Sequence, residues 1–181
     1  WTVPTLALWE TFLTGDSAAL AGLAELRYVP ATWRVNWARQ LANIRSNNAG
    51  TPGSATVALR GRILLALQRA GCPIAFGTDS PQLYSVPGFS THREMRSMAA
   101  AGLTPPQILT AATRNVARYF GAEREFGTVA PGLRADLLLL EANPLADIGN
   151  VARRAGVMVA GRWIPETEIQ GRLERMAAGY R

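Results

Sequence analysis

Lysine is absent from this chain of 181 residues, histidine and cysteine occur once each as His92 and Cys72, and all 19 basic side chains are arginine. Without lysine there is no Schiff base, no P-loop lysine and no carbamylated lysine. A single cysteine excludes an internal disulfide framework and a thiolate zinc cluster. A single histidine excludes, within this chain, any site built from several imidazoles. No stretch approaches the roughly 18 uninterrupted apolar residues of a membrane span. The first residues show no basic region followed by an apolar core, so no signal peptide is visible, and cytoplasm and periplasm stay equally open as locations.

What the chain does have is 48% hydrophobic residues against 18% charged ones, enough apolar surface for a core and too little charge for disorder. The formal charge of +6 invites a nucleic-acid reading, but the arginines are spread out and the only adjacent pair is Arg153-Arg154, so the basic stripe expected of such a binder is missing. An arginine-only, alanine-rich and glycine-rich composition is what a GC-rich coding sequence produces. Neither a nucleic-acid nor a membrane partner is expected.

Read for periodicity, Thr2 to Leu8 is an apolar run consistent with a buried strand. In ATWRVNWARQLANIR, Trp33, Trp37, Leu41 and Ile44 repeat at helical spacing and predict an apolar helix face. Residues 47–54 read as a loop, and a helix from about Ala55 to Ala70 stops at Gly71. Pro73 to Phe76 reads as a short buried strand that ends abruptly in Gly77-Thr78-Asp79-Ser80-Pro81. A strand that ends in a polar loop is the arrangement of parallel α/β proteins, in which functional groups sit at the carboxyl ends of strands. Thr91-His92-Arg93-Glu94 and Thr104-Pro105-Pro106-Gln107 both match the capping-box pattern, and the helices they open are predicted to stop at Gly102 and Gly121, with Ile108, Ala112, Val116 and Tyr119 on one face of the second. Leu137 to Leu140, a hairpin of Val157-Met158-Val159 and Trp163-Ile164 turning at Gly161, and a helix from Pro165 to Ala178 form the tail.

Asp79 is the leading chemical candidate. A carboxylate directly after a buried strand can ligate a divalent metal and take a proton from metal-bound water; it can equally cap the turn that follows. His92, thirteen positions on, reads either as a substrate or metal contact or as a surface imidazole in the first turn of a helix. Glu94 is expected to be occupied in its capping box, and Trp33 and Trp37 to lie in the core.

The ordered series GTDSP, VPGFSTHREM, AAGLTPPQILTAATRNVARYFG, FGTVAPGLRADLLLLEANPL and VMVAGRW resembles the C-terminal half of a metal-dependent amidohydrolase, in the imidazolonepropionase-like and Xaa-Pro-dipeptidase-like subgroup. The resemblance implies an α/β fold: the last two strands and helices of a TIM-like (β/α)8 barrel over residues 1–124, the C-terminal strands of a small composite β-sandwich over 125–164, and a C-terminal helix over 165–181. VPTL fits the seventh barrel strand and PIAFGTDS the eighth. The resemblance further implies hydrolysis of amide, peptide or cyclic-amide C–N bonds, with Asp79 as metal ligand and general base. It puts His92 and Tyr84 near the substrate, with Val86 and Gly88 in the loop at the pocket mouth.

The implied cofactor is a divalent metal, zinc, as one or two ions, and the implied substrate is a small molecule or dipeptide-like compound; a homo-oligomer is possible. Departures from the family pattern are equally clear. Its His-x-His pair, its further histidines and its carbamylated Lys or Glu have no counterpart here, and a full barrel takes roughly 250 residues. The expectation is therefore a piece of a longer enzyme that by itself holds no metal and is inactive, the alternative being a non-catalytic fragment or pseudoenzyme scaffold.

Overall fold

A computed structural model describes residues 1–180. The chain enters extended: Thr2 forms a parallel bridge with Ile74, in which the Thr2 amide donates to the Pro73 carbonyl at 3.0 Å and the Ala75 amide to the Thr2 carbonyl at 2.9 Å. Here the strand expected through Leu8 is corrected. Thr5 takes a left-handed conformation, φ 46°, and helix α1 runs over Leu6–Leu13. The apolar run is helical because its first free amides find an acceptor, the buried Glu94 carboxylate, to which Leu6 and Ala7 donate at 2.9 and 2.8 Å.

The second expected strand, Pro73 to Phe76, likewise contracts to the Ile74 bridge. Its other edge does not meet a strand. Asn115 Nδ2 donates to the Ile74 carbonyl at 2.8 Å, and the Phe76 amide donates to Ala111 O at 3.1 Å.

Between these two segments come α2 (Ser17–Ala21), a 3-10 turn (Ala24–Tyr28), α3 (Ala31–Asn47) and α4 (Gly53–Arg69). The loop predicted between α3 and α4 is there, and Gly71 follows α4 at φ 72° as a C-terminal glycine should. Arg45 on α3 fixes the far end of α1. Its guanidinium donates to Phe12 O at 3.2 Å, Thr11 O at 3.1 Å and Ser17 Oγ at 2.8 Å, and also reaches Gly15 O. A planar fork is needed to serve that many acceptors at once. Arg45→Met is expected to destabilise the chain by about 1–2 kcal/mol, with lysine restoring little of it, as urea denaturation of the three proteins would show.

Helix α5 spans Phe89–Ala100, and its start corrects a second expectation. Gly88, at φ 82°, precedes Phe89, so Thr91 already lies inside the first turn and no capping box forms around it. The box at Thr104 does form, with Gln107 Oε1 accepting from the Thr104 amide at 2.9 Å. The helix it opens was expected to reach Gly121 unbroken but divides into α6 (Pro105–Ala112) and α7 (Arg114–Phe120). At the junction Thr113 Oγ1 bonds back to Leu109 O at 2.7 Å, and Ala111 O serves Phe76 rather than the helix ladder. The break turns Tyr119 outward, 54% exposed, while Ile108 is fully buried.

The tail is a three-stranded antiparallel sheet of β1 (Leu137–Leu140), β2 (Arg154–Val159) and β3 (Arg162–Pro165), in the order β1-β2-β3. The hairpin turns through Ala160 and Gly161, both at positive φ, which is the geometry that matches strand twist. A 3-10 turn, Ile148–Ala152, links β1 to β2, and helix α8, Glu166–Ala178, closes the chain.

Two clusters of buried side chains meet at α1. Leu6 packs with Leu64, Ile74, Met95, Met98 and Ile108, and also with Ile148 and Val151 of the tail. Leu8 packs with Leu26, Trp37, Leu41, Leu83 and Tyr84. Trp33, expected in the core, is 45% exposed.

Candidate functional site

Ile74 and Ala75 are buried, and the chain emerges from them through Gly77, where a Cβ would meet Val3 Cγ1 at 2.7 Å, to reach an exposed Asp79. Among the described residues no hydrogen bond or ion pair engages the Asp79 carboxylate; only its backbone oxygen is used, accepting from Gln82 Nε2 at 3.0 Å. On either side of it, hydroxyls knit the loop to α5. Thr78 Oγ1 and Ser80 Oγ lie 2.9 Å apart, Ser90 Oγ donates to Ser80 Oγ at 3.2 Å, and Ser85 Oγ donates to Thr78 O at 3.4 Å.

The rest of the loop is a buried platform. Leu83, Tyr84, Ser85 and Val86 are all nearly inaccessible, and Asp79, Leu83 and Tyr84 all have φ between 45° and 66°. Left-handed backbone is familiar for aspartate but uncommon for leucine and tyrosine, where it costs about 1–3 kcal/mol and persists only when the surroundings impose it. Here they do. The Tyr84 ring packs 5.8 Å from that of Trp37, and Arg93 Nη1 donates to Tyr84 O at 2.8 Å while its Nη2 reaches Thr11 Oγ1 at 2.7 Å.

Of the three expected site residues, then, Asp79 is exposed in the loop that follows the Ile74 bridge, and Tyr84 belongs to the same loop with its ring inside the core. His92 is elsewhere. It is half-buried on α5, its Nδ1 has no partner among the described residues, and the charges acting on it are Arg96 and Arg154, the latter at the start of β2. Burial first, then those two cations, hold the imidazole below its ordinary pKa. With a lowered folded value, its contribution to stability is complete above the ordinary imidazole range and is lost as the pH falls through the folded value. His92→Gln is accordingly expected to flatten the acid side of a melting-temperature profile below about pH 6.5.

Two residues hold this region together: Arg93, to which sequence reasoning assigned no role, and Glu94, expected in a capping box that does not form. Glu94 is fully buried, and its carboxylate joins the loop-bearing helix α5 to the start of α1. Burial pushes its carboxyl up to about 7, against the lowering effect of the two amides it accepts; nearby Glu10 raises it further and Arg60 lowers it. On α5 Glu94 shares the inward face with Ser90, Ser97 and Met98, all buried, a face whose serines give it no apolar stripe in the sequence. A carboxylate on the inward face of a helix has either a partner or a task.

Among the described residues no three His, Cys, Asp or Glu side chains come together as a metal-binding group. A catalytic zinc takes three protein ligands and a water. Asp79 can supply one, so the residues of this chain do not make up such a site by themselves.

A short parallel bridge with helices packed around it, together with a three-stranded antiparallel sheet, makes this an α/β protein. Residues 42–164 match the model of the amidohydrolase family, and the chain belongs to that family. It is 39% identical over 75 residues to adenine deaminase 3 of Rhizobium meliloti, a segment that is 38% of this chain and 13% of that protein. It is 41% identical over 81 residues to the imidazolonepropionase of Deinococcus deserti, 44% of this chain and 20% of that protein. Of solved structures, bottromycin amidohydrolase superposes with a TM-score of 0.79 at 25% identity, covering 98% of this chain and 40% of that one. A Xaa-Pro dipeptidase with bound methionine superposes at 0.62 and 22% identity, covering 90% and 34%, a likeness of fold. The chain thus spans well under half the length of these relatives.

Proposed function

We propose that this chain is the C-terminal portion of a hydrolase that opens C–N bonds, whether amide, peptide or cyclic amide, in small substrates, with Asp79 as the general base toward the attacking water and one ligand of a divalent metal. The observation that carries the reading is the position of Asp79: an unengaged carboxylate, exposed at the end of a buried extended segment and held there by an over-constrained loop. Family membership and the superposition on bottromycin amidohydrolase support it. Residues 1–124 are assigned to the last two strand–helix units of a TIM-like (β/α)8 barrel, 125–164 to strands of a small β-sandwich and 165–181 to a closing helix. His92 and Tyr84 are assigned to the substrate side. Of these two, Tyr84 acts through the shape of its loop, because its ring is buried.

The incomplete ligand set favours a second statement about the chain taken alone, namely that it is a scaffold without activity. Both are tested together by assaying the whole protein and the 181-residue chain against dipeptides, N-acyl amides and cyclic amides, with elemental analysis of each. The whole protein is expected to hydrolyse at least one class and to carry a divalent metal, and the 181-residue chain to do neither. Stoichiometric zinc and turnover in the short chain would overturn the second statement; neither in the whole protein would overturn the first.

A further inference from the structure

Beside the Asp79 loop a groove of about 400 Å³ runs between α3 and the loop, lined by Trp33, Asn36, Trp37, Gln40, Pro81 and Gln82. None of the six is ionisable, in a chain with 19 arginines. Helical geometry explains the neutrality. At 100° per residue Trp33, Asn36, Trp37 and Gln40 fall within one face of α3 about 100° wide, whereas Arg34 and Arg39 lie about 60° beyond its two edges.

The two indoles form a bent aromatic wall, their centroids 6.1 Å apart and their planes at 58°. Trp37 is anchored in the core against Tyr84, and Trp33 leaves nearly half its surface to solvent. An exposed indole beside three carboxamides presents a π face together with donors and acceptors at its rim. Gln82 belongs to this rim and also donates to the Asp79 backbone carbonyl, so the groove adjoins the loop that carries the candidate carboxylate.

We infer that this groove is a binding subsite for an uncharged aromatic amide, the ring lying on Trp33 and the amide group bonding to the carboxamides of Asn36, Gln40 and Gln82. The inference deepens the proposed function, on which it rests: it gives the substrate a neutral, ring-bearing group on the α3 side of Asp79. An anionic group finds no cation in the groove, and an aliphatic amide forfeits the stacking surface.

The test is a titration of the ¹⁵N-labelled whole protein with N-acetyl-L-phenylalaninamide, followed through the Trp33 indole and the Gln40 and Gln82 side-chain amides. Saturable shifts of these signals are expected, with no saturation by N-acetylglycinamide and no tighter binding of N-acetyl-L-phenylalanine. Trp33→Ala, at a half-exposed position, is expected to weaken binding about fivefold or more with the melting temperature little changed, in line with the loss of one aromatic stack. Absence of saturable shifts, equal binding of the ringless amide, tighter binding of the carboxylate or full affinity in Trp33→Ala would each overturn the inference. Asp79→Asn separates it from the reading beneath it. Groove binding that persists while turnover of the whole protein is untouched by that substitution removes the general base and leaves the subsite; a silent groove in a protein whose turnover Asp79→Asn abolishes does the reverse.

Discussion

Asp79→Asn in the whole protein is expected to lower kcat by about 10²–10⁴-fold with little change in KM, the range in which a positioned general base contributes. Asparagine is the appropriate replacement for a structural reason. Asp79 has φ 54°, a left-handed conformation that asparagine adopts as readily as aspartate, whereas alanine would strain the loop and confound a chemical effect with a folding one. The substituted side chain keeps the shape and loses the ability to take a proton and to ligate metal as an anion. Among the described residues the Asp79 carboxylate makes no bond that the amide would break. Melting temperatures within about a degree or two of one another would establish that the loop is intact, since a surface change without such partners is worth about half a kcal/mol at most. Unchanged turnover alongside an intact fold would remove Asp79 from the mechanism.

The second large effect is expected at Glu94. Its carboxyl titrates near 7 in the folded chain against an ordinary value of 4.5, because burial outweighs the two amides that favour the charged form. A raised acid stabilises the fold fully below its unfolded value and loses that contribution as the pH rises through its folded value. Stability is therefore expected to decline by up to about 3 kcal/mol as the pH rises from about 4.5 to about 7, at about 1.4 kcal/mol per pH unit. Glu94→Gln should flatten this decline, because the carboxamide oxygen still accepts from one of the Leu6 and Ala7 amides and nothing ionises. Glu94→Ala leaves both amides buried without an acceptor and should lower stability by about 2–4 kcal/mol at any pH in the window. Urea denaturation of the three proteins across the window decides it; an undiminished pH dependence in Glu94→Gln would assign the titration to another group. His92, whose pKa is lowered, acts in the opposite sense below its ordinary value and offsets part of this decline.

What could be read from the sequence was what depends on neighbours in the chain. The spacing of Trp37, Leu41 and Ile44, the Thr104 box, the glycines after α4 and α7 and the hairpin at Ala160-Gly161 are settled within a few residues of themselves, and the structure has all of them. The misreadings share another cause. Leu6 to Leu13 is helical because a carboxylate 87 and 88 residues away accepts its first amides, and Glu94 left its supposed box for the same contact. The break at Thr113 exists because Ala111 O is claimed by Phe76, 35 positions earlier. Local pattern cannot report partners at such separations, and a capping-box match is no evidence of where a helix begins once a glycine such as Gly88 has started it earlier. The site shows the same division. Asp79 was visible as a carboxylate ending an apolar segment, but the platform beneath it, with Arg93 spanning from Tyr84 O to Thr11, is a product of packing.

That platform has a consequence for motion. Loops that carry chemistry are commonly drawn from the least stable parts of a fold and open locally. Residues 83–86 are instead built into the core, with two left-handed side-chain-bearing residues that would relax if released. The loop consequently has no partial opening available to it short of unmaking the Trp37 cluster. Its buried amides should exchange with solvent deuterium only as fast as the whole chain unfolds, so that here the stiffness of the site and the global stability of the fold are a single quantity.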